Sequence, residues 1–205
     1  AALAAGATPI MLGISNKRMP SIAKGAKGIK PVLVPLPHAW RALEDVRVAL
    51  IVKDPQRAIK NKLLAQEVSL TNVKVIGIDK LKKKYVPYEA KRRLRAAHDV
   101  FFVDDRVLPM LPRLLGSDFF KANKLPMPVD VTKSDLRALL ERCVGGAILR
   151  PTRGTCASFC VGHSGQKPGV VAENISVAAE AAVKRLAGHW SNVQSVHVRA
   201  PNTVS

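Results

Sequence analysis

Four groups of side chains have residue types that do chemistry elsewhere, and spacing tests each of them. Gly162-His-Ser-Gly-Gln-Lys167 has the outline of a phosphate loop, but that motif needs Gly-Lys followed by Ser or Thr, and here Lys167 is followed by Pro168. Cys156 and Cys160 with His163 hold zinc-ligand types. On a strand, two cysteines four apart share a face about 13 Å from each other, too far for a common ion, and the chain has no second pair. Buried thiols are the better expectation. Asp104 and Asp105 are adjacent, so on a strand they point to opposite faces and cannot act as a carboxylate pair; Arg106 beside them points to local charge pairing. A Cys or Ser nucleophile near His163 lacks any legible orienting acid or oxyanion site. The expectation is a chain that is not an enzyme, with no cofactor, no metal and no small-molecule substrate.

Charge is the stronger signal. The chain carries 33 Lys and Arg against 15 Asp and Glu, a formal net charge of +18 on 205 residues. Such a field attracts polyphosphate, each phosphate contact releases counterions, and nucleic acid is the first partner to expect. Three places concentrate the charge. Asn16 to Lys30 holds Lys17, Arg18, Lys24, Lys27 and Lys30 without an acid between them. Arg150, Arg153, His163 and Lys167 surround the glycine-containing stretch Thr152 to Gly169, where a partner can approach the backbone. Lys80 to Arg95 contains Lys80, Lys82, Lys83, Lys84, Lys91, Arg92, Arg93 and Arg95 against Glu89 alone, a surface for RNA or an acidic protein. Pro87 divides it, so two short basic surfaces are expected instead of one stripe. Aromatics make up only 4% of the chain. Tyr85 and Tyr88 flank Pro87 and read as packing residues, and Trp40 and Trp190 as core or domain-edge residues.

The elements that carry these groups alternate. Pro9 to Ile14 and Pro31 to Leu36 read as strands, as does β-branched Val46 to Val52. Asp54-Pro55 then looks like a cap and first turn for a basic helix running to Gln66. Strand Val73 to Ile78, a helical turn Asp79 to Lys84, helix Tyr88 to Ala97, strand Val100 to Val103 and helical Leu108 to Leu115 follow. This succession implies βαβ units and a mainly parallel sheet. No Gly-rich turn follows Val46 to Val52, which argues against a bound dinucleotide. Lys124 to Val131, with Pro126 and Pro128, reads as an extended crossing between domains. Ser134 caps a helix through Cys143 that Gly145 and Gly146 stop. Thr155 to Gly162 reads as a strand, Val170 to Leu186 as a helix and Val193 to Arg199 as a final strand. The simplest arrangement is an α/β chain: a split α+β domain, 1–42 with 133–205, holding an inserted Rossmann-like βαβ domain, 43–132.

A hydrophobic fraction of 47% is enough for real cores. No stretch approaches the roughly 20 apolar residues of a membrane span, and no membrane partner is expected. Ala1 to Ala7 lacks the charged start of a signal peptide, and with no initial Met the sequence reads as starting inside a longer protein. Cys143, Cys156 and Cys160 are an odd count without an export signal, which points to reduced thiols in cytosol or nucleus.

Several separated blocks, in order, resemble one family. Lys80-Leu-Lys-Lys-Lys-Tyr85, Tyr88-Glu-Ala-Lys-Arg-Arg-Leu94, His98-Asp-Val-Phe-Phe-Val-Asp-Asp-Arg-Val107, Leu111-Pro-Arg-Leu-Leu-Gly116 and Phe119-Phe-Lys121 look like the ribosomal stalk protein (ribosomal protein L-one) domain of nucleolar assembly factors. Val161-Gly-His163 with Ala172-Glu-Asn-Ile175 resembles the family's carboxyl-side signature, and Pro31-Val-Leu-Val-Pro-Leu-Pro-His38 its early strand. The resemblance covers Pro9 to Ser205 and implies the two-domain fold of that superfamily, with RNA gripped by the split domain. It assigns RNA contact to Lys17 and Arg18 after the first strand, to Arg199, and to Thr203 and Ser205 in the terminal turn. The mature ribosomal protein instead has an aromatic in the first strand, where Gly6 to Thr8 falls here, and a Thr-Met-Gly-Pro turn where this chain ends Arg199-Ala-Pro-Asn-Thr-Val-Ser205. These departures, the basic helix and Asp104-Asp105-Arg106 imply the assembly-factor branch. The implied role is binding pre-ribosomal RNA in the nucleolus, beside other assembly factors and ribosomal proteins in a large particle.

Overall fold

The computed structural model describes residues 7–19, 31–68, 71–116, 119, 124–132, 135–150, 154–186 and 189–201. The chain divides into two compact units, 43–141 and 2–42 with 142–205. The first is a parallel sheet flanked by helices. Strand β3 (Val48–Val52) is central and wholly buried; β4 (Val73–Gly77) and β5 (Val100–Asp104) pair with it in parallel, and β6 (Met127–Val129) extends β5, giving the order β4-β3-β5-β6. Its run Val-Ala-Leu-Ile-Val has no polar alternation because both faces of a covered parallel sheet are interior. Helices α1 (Gln56–Ala65), α2 (Ile78–Lys84), α3 (Tyr88–Ala97) and α4 (Leu111–Leu115) connect the strands. Leu81, Leu94, Leu111 and Leu115 pack with Ile51, Ile76, Phe101 and Val103, and Phe101 meets Phe119 edge to face at 5.0 Å. Each such buried side chain contributes about 1.5–3 kcal/mol.

Three expectations for this unit are corrected. Residues 124–131 are not a crossing: Phe102 pairs with Met127 and Asp104 with Val129, so the segment supplies the edge strand. An edge strand can tolerate Pro128, which offers no N–H to a ladder. Lys124, read there as part of a linker, donates its ammonium to the carbonyls of Arg95 (3.0 Å) and His98 (2.8 Å), closing the end of α3. Asp54 does not cap α1, whose flanking residue is Pro55 without a side-chain cap bond. Instead Asp54 Oδ2 accepts the amide of Asp79 (3.0 Å) in the first turn of α2. Gly77 leaves room for that carboxylate, since a β-carbon there would collide with it.

The unit boundary also lies further along than 132/133. Gln66 Oε1 accepts the amides of Leu136 (3.0 Å) and Arg137 (3.1 Å), and so ties the start of α5 (Leu136–Gly145) to the inserted unit. Ser134, the expected cap, lies outside the described residues.

The second unit is built from both ends of the chain. Strand β1 (Pro9–Asn16) is the middle of an antiparallel sheet, between β8 (Cys156–His163) and β9 (Val193–Arg199). A second ladder joins β2 (Val32–Val34) to β7 (Ala147–Leu149), a strand hidden in sequence behind the helix-stopping glycines. Helix α6 (Pro168–Arg185) packs Ala178, Ala182 and Val183 against Leu12, Ile14, Phe159 and Val161. A one-turn helix, α7 (His189–Asn192), leads into β9. Asn174, fully buried on α6, donates to the carbonyls of His38 (2.9 Å) and Val161 (3.1 Å) and accepts the amide of His38 (3.0 Å).

Candidate nucleic-acid interface

One face of the split unit's antiparallel sheet packs on α6 through β1 and β8, although Val196 and Val198 of β9 on that side are exposed, and the other face is open. Residues directly opposite in such a ladder project on the same side. Leu12, Ile14, Ala157, Phe159 and Val161 face α6. The open side is therefore Met11, Gly13 and Ser15 of β1, flanked by Cys160, Ser158 and Cys156 on β8 and by Arg199, His197 and Ser195 on β9. Serines and cysteines share this face with Met11, Gly13, His197 and Arg199. Ser15 Oγ lies 3.1 Å from His197 Nε2 and 3.4 Å from Cys156 Sγ, and the His197 ring sits over Gly13, where a β-carbon would come within 3.1 Å of it.

The two thiols of this face differ. Hydrogen bonds from the hydroxyls of Ser15 and Thr155 hold the exposed Cys156 thiol below its ordinary value, whereas burial pushes Cys160 up. The expectation of buried thiols is thus corrected for Cys156, because its edge-strand position leaves the side chain in solvent.

Cations bracket the face. Arg199 is exposed at the Met11 end. At the other, β1 runs into exposed Lys17 and Arg18, whose backbone is braced to α7: Lys17 N donates to Asn192 O (2.7 Å), Arg18 N to Asn192 Oδ1 (3.0 Å), and Asn192 Nδ2 to Arg18 O (3.2 Å). The split unit holds thirteen of the 33 Lys and Arg but only two of the 15 carboxylates, Glu173 and Glu180. Both lie on α6, behind the sheet, and Glu173 pairs with His38 (2.7 Å). No Asp or Glu of this unit lies on the open side of its sheet.

The remaining expected residues divide. His163 is half-buried and closes a turn: its Nδ1 accepts the amide of Gly165 (3.2 Å) and its own amide donates to Gln166 Oε1 (3.2 Å). Its ring works within the fold. Lys167 is exposed immediately before α6. Arg150, at the end of β7, is desolvated enough to lower its pKa, and its Nε is buried without a hydrogen-bond partner among the described residues. Lys24, Lys27, Arg153, Thr203 and Ser205 lie outside the described residues.

In the inserted unit Lys82, Lys83 and Lys84 are exposed on α2, while Lys91, Arg92 and Arg95 belong to α3. The two helices part at Pro87 as expected. Glu89 pairs with Arg93 (3.3 Å) and more loosely with Arg92 (3.9 Å). Tyr85 packs, but Tyr88 does not: it is 62% exposed, with the Arg92 guanidinium 5.9 Å from its ring. Trp40 is buried, with Nε1 donating to Gly146 O (2.9 Å), whereas Trp190, expected at the core or a domain edge, is 54% exposed. Nothing in composition separates these two indoles; only the turn before β9 turns one of them outward.

Among the described residues, no group of three or more His, Cys, Asp or Glu is placed to hold a metal ion, and no helix is long and apolar enough to cross a membrane. The sequence profile of the Ribosomal protein L1p/L10e family matches residues 7–204. A ribosome biogenesis protein of Schizosaccharomyces pombe is 37% identical over 163 residues, covering 76% of this chain and 43% of that protein. The Ribosomal L1 domain-containing protein 1 of Mus musculus is 31% identical over 181 residues, 85% of this chain and 40% of that protein. The large ribosomal subunit protein uL1 of Drosophila melanogaster is 28% identical over 134 residues, 65% of this chain and 61% of that protein. The chain thus spans less than half the length of the first two.

Proposed function

The chain belongs to the Ribosomal protein L1p/L10e family, and from that premise we propose that it is a non-catalytic ribosome-assembly factor that binds pre-ribosomal RNA through its split unit. The observation that carries this reading is the open face of the β8-β1-β9 sheet: hydroxyls, an imidazole and bracketing cations on one side, with both carboxylates of the unit on the helix behind. Lys17, Arg18 and Arg199 neutralise phosphates there. Ser15, Ser158 and Ser195 present hydroxyls that donate to phosphate or exchange hydrogen bonds with the ribose 2′-OH.

Likeness to a protein named for ribosome biogenesis, and to one named only for its ribosomal L1 domain, spans more of this chain than likeness to uL1, which favours assembly over residence in the mature ribosome. The nucleolus is the compartment this implies. Lys24, Lys27, Arg150, Arg153, Lys167, Thr203 and Ser205 lie in the same unit in sequence and belong to the proposed RNA surface. His163 supports the turn beside it. The basic helices of the inserted unit meet RNA or acidic neighbours in the particle.

Cross-linking the protein to RNA in growing cells, and sequencing the attached fragments, tests the proposal. Fragments from transcribed spacers or immature ribosomal RNA are expected. Mature stalk RNA alone would make it a ribosomal component, and no RNA would remove the central claim.

A further inference from the structure

We propose that Trp190 is a stacking platform for an unpaired nucleobase, so that the RNA held by the split unit presents a single-stranded nucleotide beside the phosphates at Lys17 and Arg18. The inference rests on the RNA-binding reading above and adds what kind of RNA is bound. Trp is among the most apolar side chains to leave in water, and here 54% of its surface is exposed. The turn that carries it is hydrogen-bonded to the end of β1. His189, immediately before Trp190 and first in α7, sits at φ 48°, a left-handed conformation that costs a non-glycine residue about 1 kcal/mol or more.

The same turn is laced to the end of β1. Lys17 N donates to Asn192 O, Arg18 and Asn192 exchange two hydrogen bonds, and Lys17 Nζ donates to the carbonyl of Ser191 (3.3 Å), the residue next to Trp190. One ammonium N–H is used in that bond, which leaves the others for a phosphate oxygen. An indole on α7 and two cations on the segment hydrogen-bonded to it match the two recognisable parts of a nucleotide, a flat π surface and an anion. In a duplex both faces of each interior base are already stacked, so this site selects loops, bulges and ends.

The test uses the full chain and two probes, a short single-stranded RNA of mixed sequence and a duplex of the same length, followed by intrinsic tryptophan fluorescence. Trp40 is buried and hydrogen-bonded, so Trp190 carries the response. The single strand is expected to quench it and the duplex to leave it nearly unchanged. Trp190→Ala should weaken single-strand binding by roughly 5- to 100-fold with an unaltered salt slope, and Trp190→Phe should restore most of the affinity. Lys17→Ala with Arg18→Ala should lower the slope by about two and keep the quench at saturation. Equal quenching by duplex, or unchanged affinity in Trp190→Ala while binding stays salt-dependent, overturns the stacking site and leaves RNA binding standing. A wild-type chain that binds neither probe removes both.

Discussion

Asn174 shows what a single buried side chain does in this protein. Its amide satisfies three backbone groups on two separate segments, the Pro35–His38 stretch and β8, and so fixes α6 against both. Replacing it with Leu strands those groups in the interior, and the expected loss is about 2–4 kcal/mol, measured as a lower urea midpoint. Residue chemistry also sets an acid limit. His98 is buried, and burial is the main cause that holds its imidazole below the ordinary 6.5; Lys74 and Arg47 add to this, while the bond to Leu94 O and the charge of Asp99 oppose it. Above that value the ring is neutral in both folded and unfolded chains and adds no pH dependence. As pH falls below it the unfolded chain takes up the proton first, so stability drops toward the folded value. Denaturation midpoints compared at about pH 7 and pH 5 should show this loss, and His98→Gln should flatten it.

At the scale of elements, Asp54 and Gln66 each bond to a helix other than the one they flank. Asp54 precedes α1 but closes α2, so Asp54→Ala should cost about 1 kcal/mol and speed amide exchange at Asp79 while α1 is unaffected. This explains where the sequence was legible. Strand β3, the helix break at Pro87 and the strand Val193–Arg199 follow from hydrophobic period and backbone chemistry, which are local. Strands β6 and β7 are three residues each and exist only through their partners, Phe102 to Asp104 and Val32 to Val34, so no local pattern announces them. The cations Lys17, Arg18 and Arg199 could be named from charge and resemblance, but the open face could not, because it needs the register that sets Ser15 opposite both Cys156 and Ser195. Gly13 tests that face as an element. Gly13→Val must displace the His197 ring and raise a branched side chain in mid-sheet, and it should reduce RNA affinity at least about tenfold while β-propensity keeps the stability change near 1 kcal/mol. Filter binding and thermal melting read the two effects separately.

For the whole molecule, charge is distributed unequally. Of the 15 carboxylates all but Glu173 and Glu180 lie in the inserted unit, where Glu89 already engages Arg93. The split unit should therefore dominate binding to naked RNA, and the inserted unit should matter in the particle. Arg92→Glu with Arg93→Glu is expected to leave the affinity of the purified chain for RNA within about threefold and to reduce co-sedimentation with pre-ribosomal particles. A large loss of affinity for naked RNA would instead bring α3 into the primary interface.

The same unit has a consequence in time. Strand β1 is made before its partners β8 and β9, which are separated from it by the entire inserted unit. At about 5–20 residues per second, β1 waits roughly ten to forty seconds for Arg199 to be synthesised. Until then the serine, histidine and arginine groups of the face stand on unconnected strands. A nascent chain on a translating ribosome, surrounded by mature ribosomal RNA, therefore lacks the assembled surface. Synthesis of β9 completes the face, so the RNA binding proposed above begins only once Arg199 has been made.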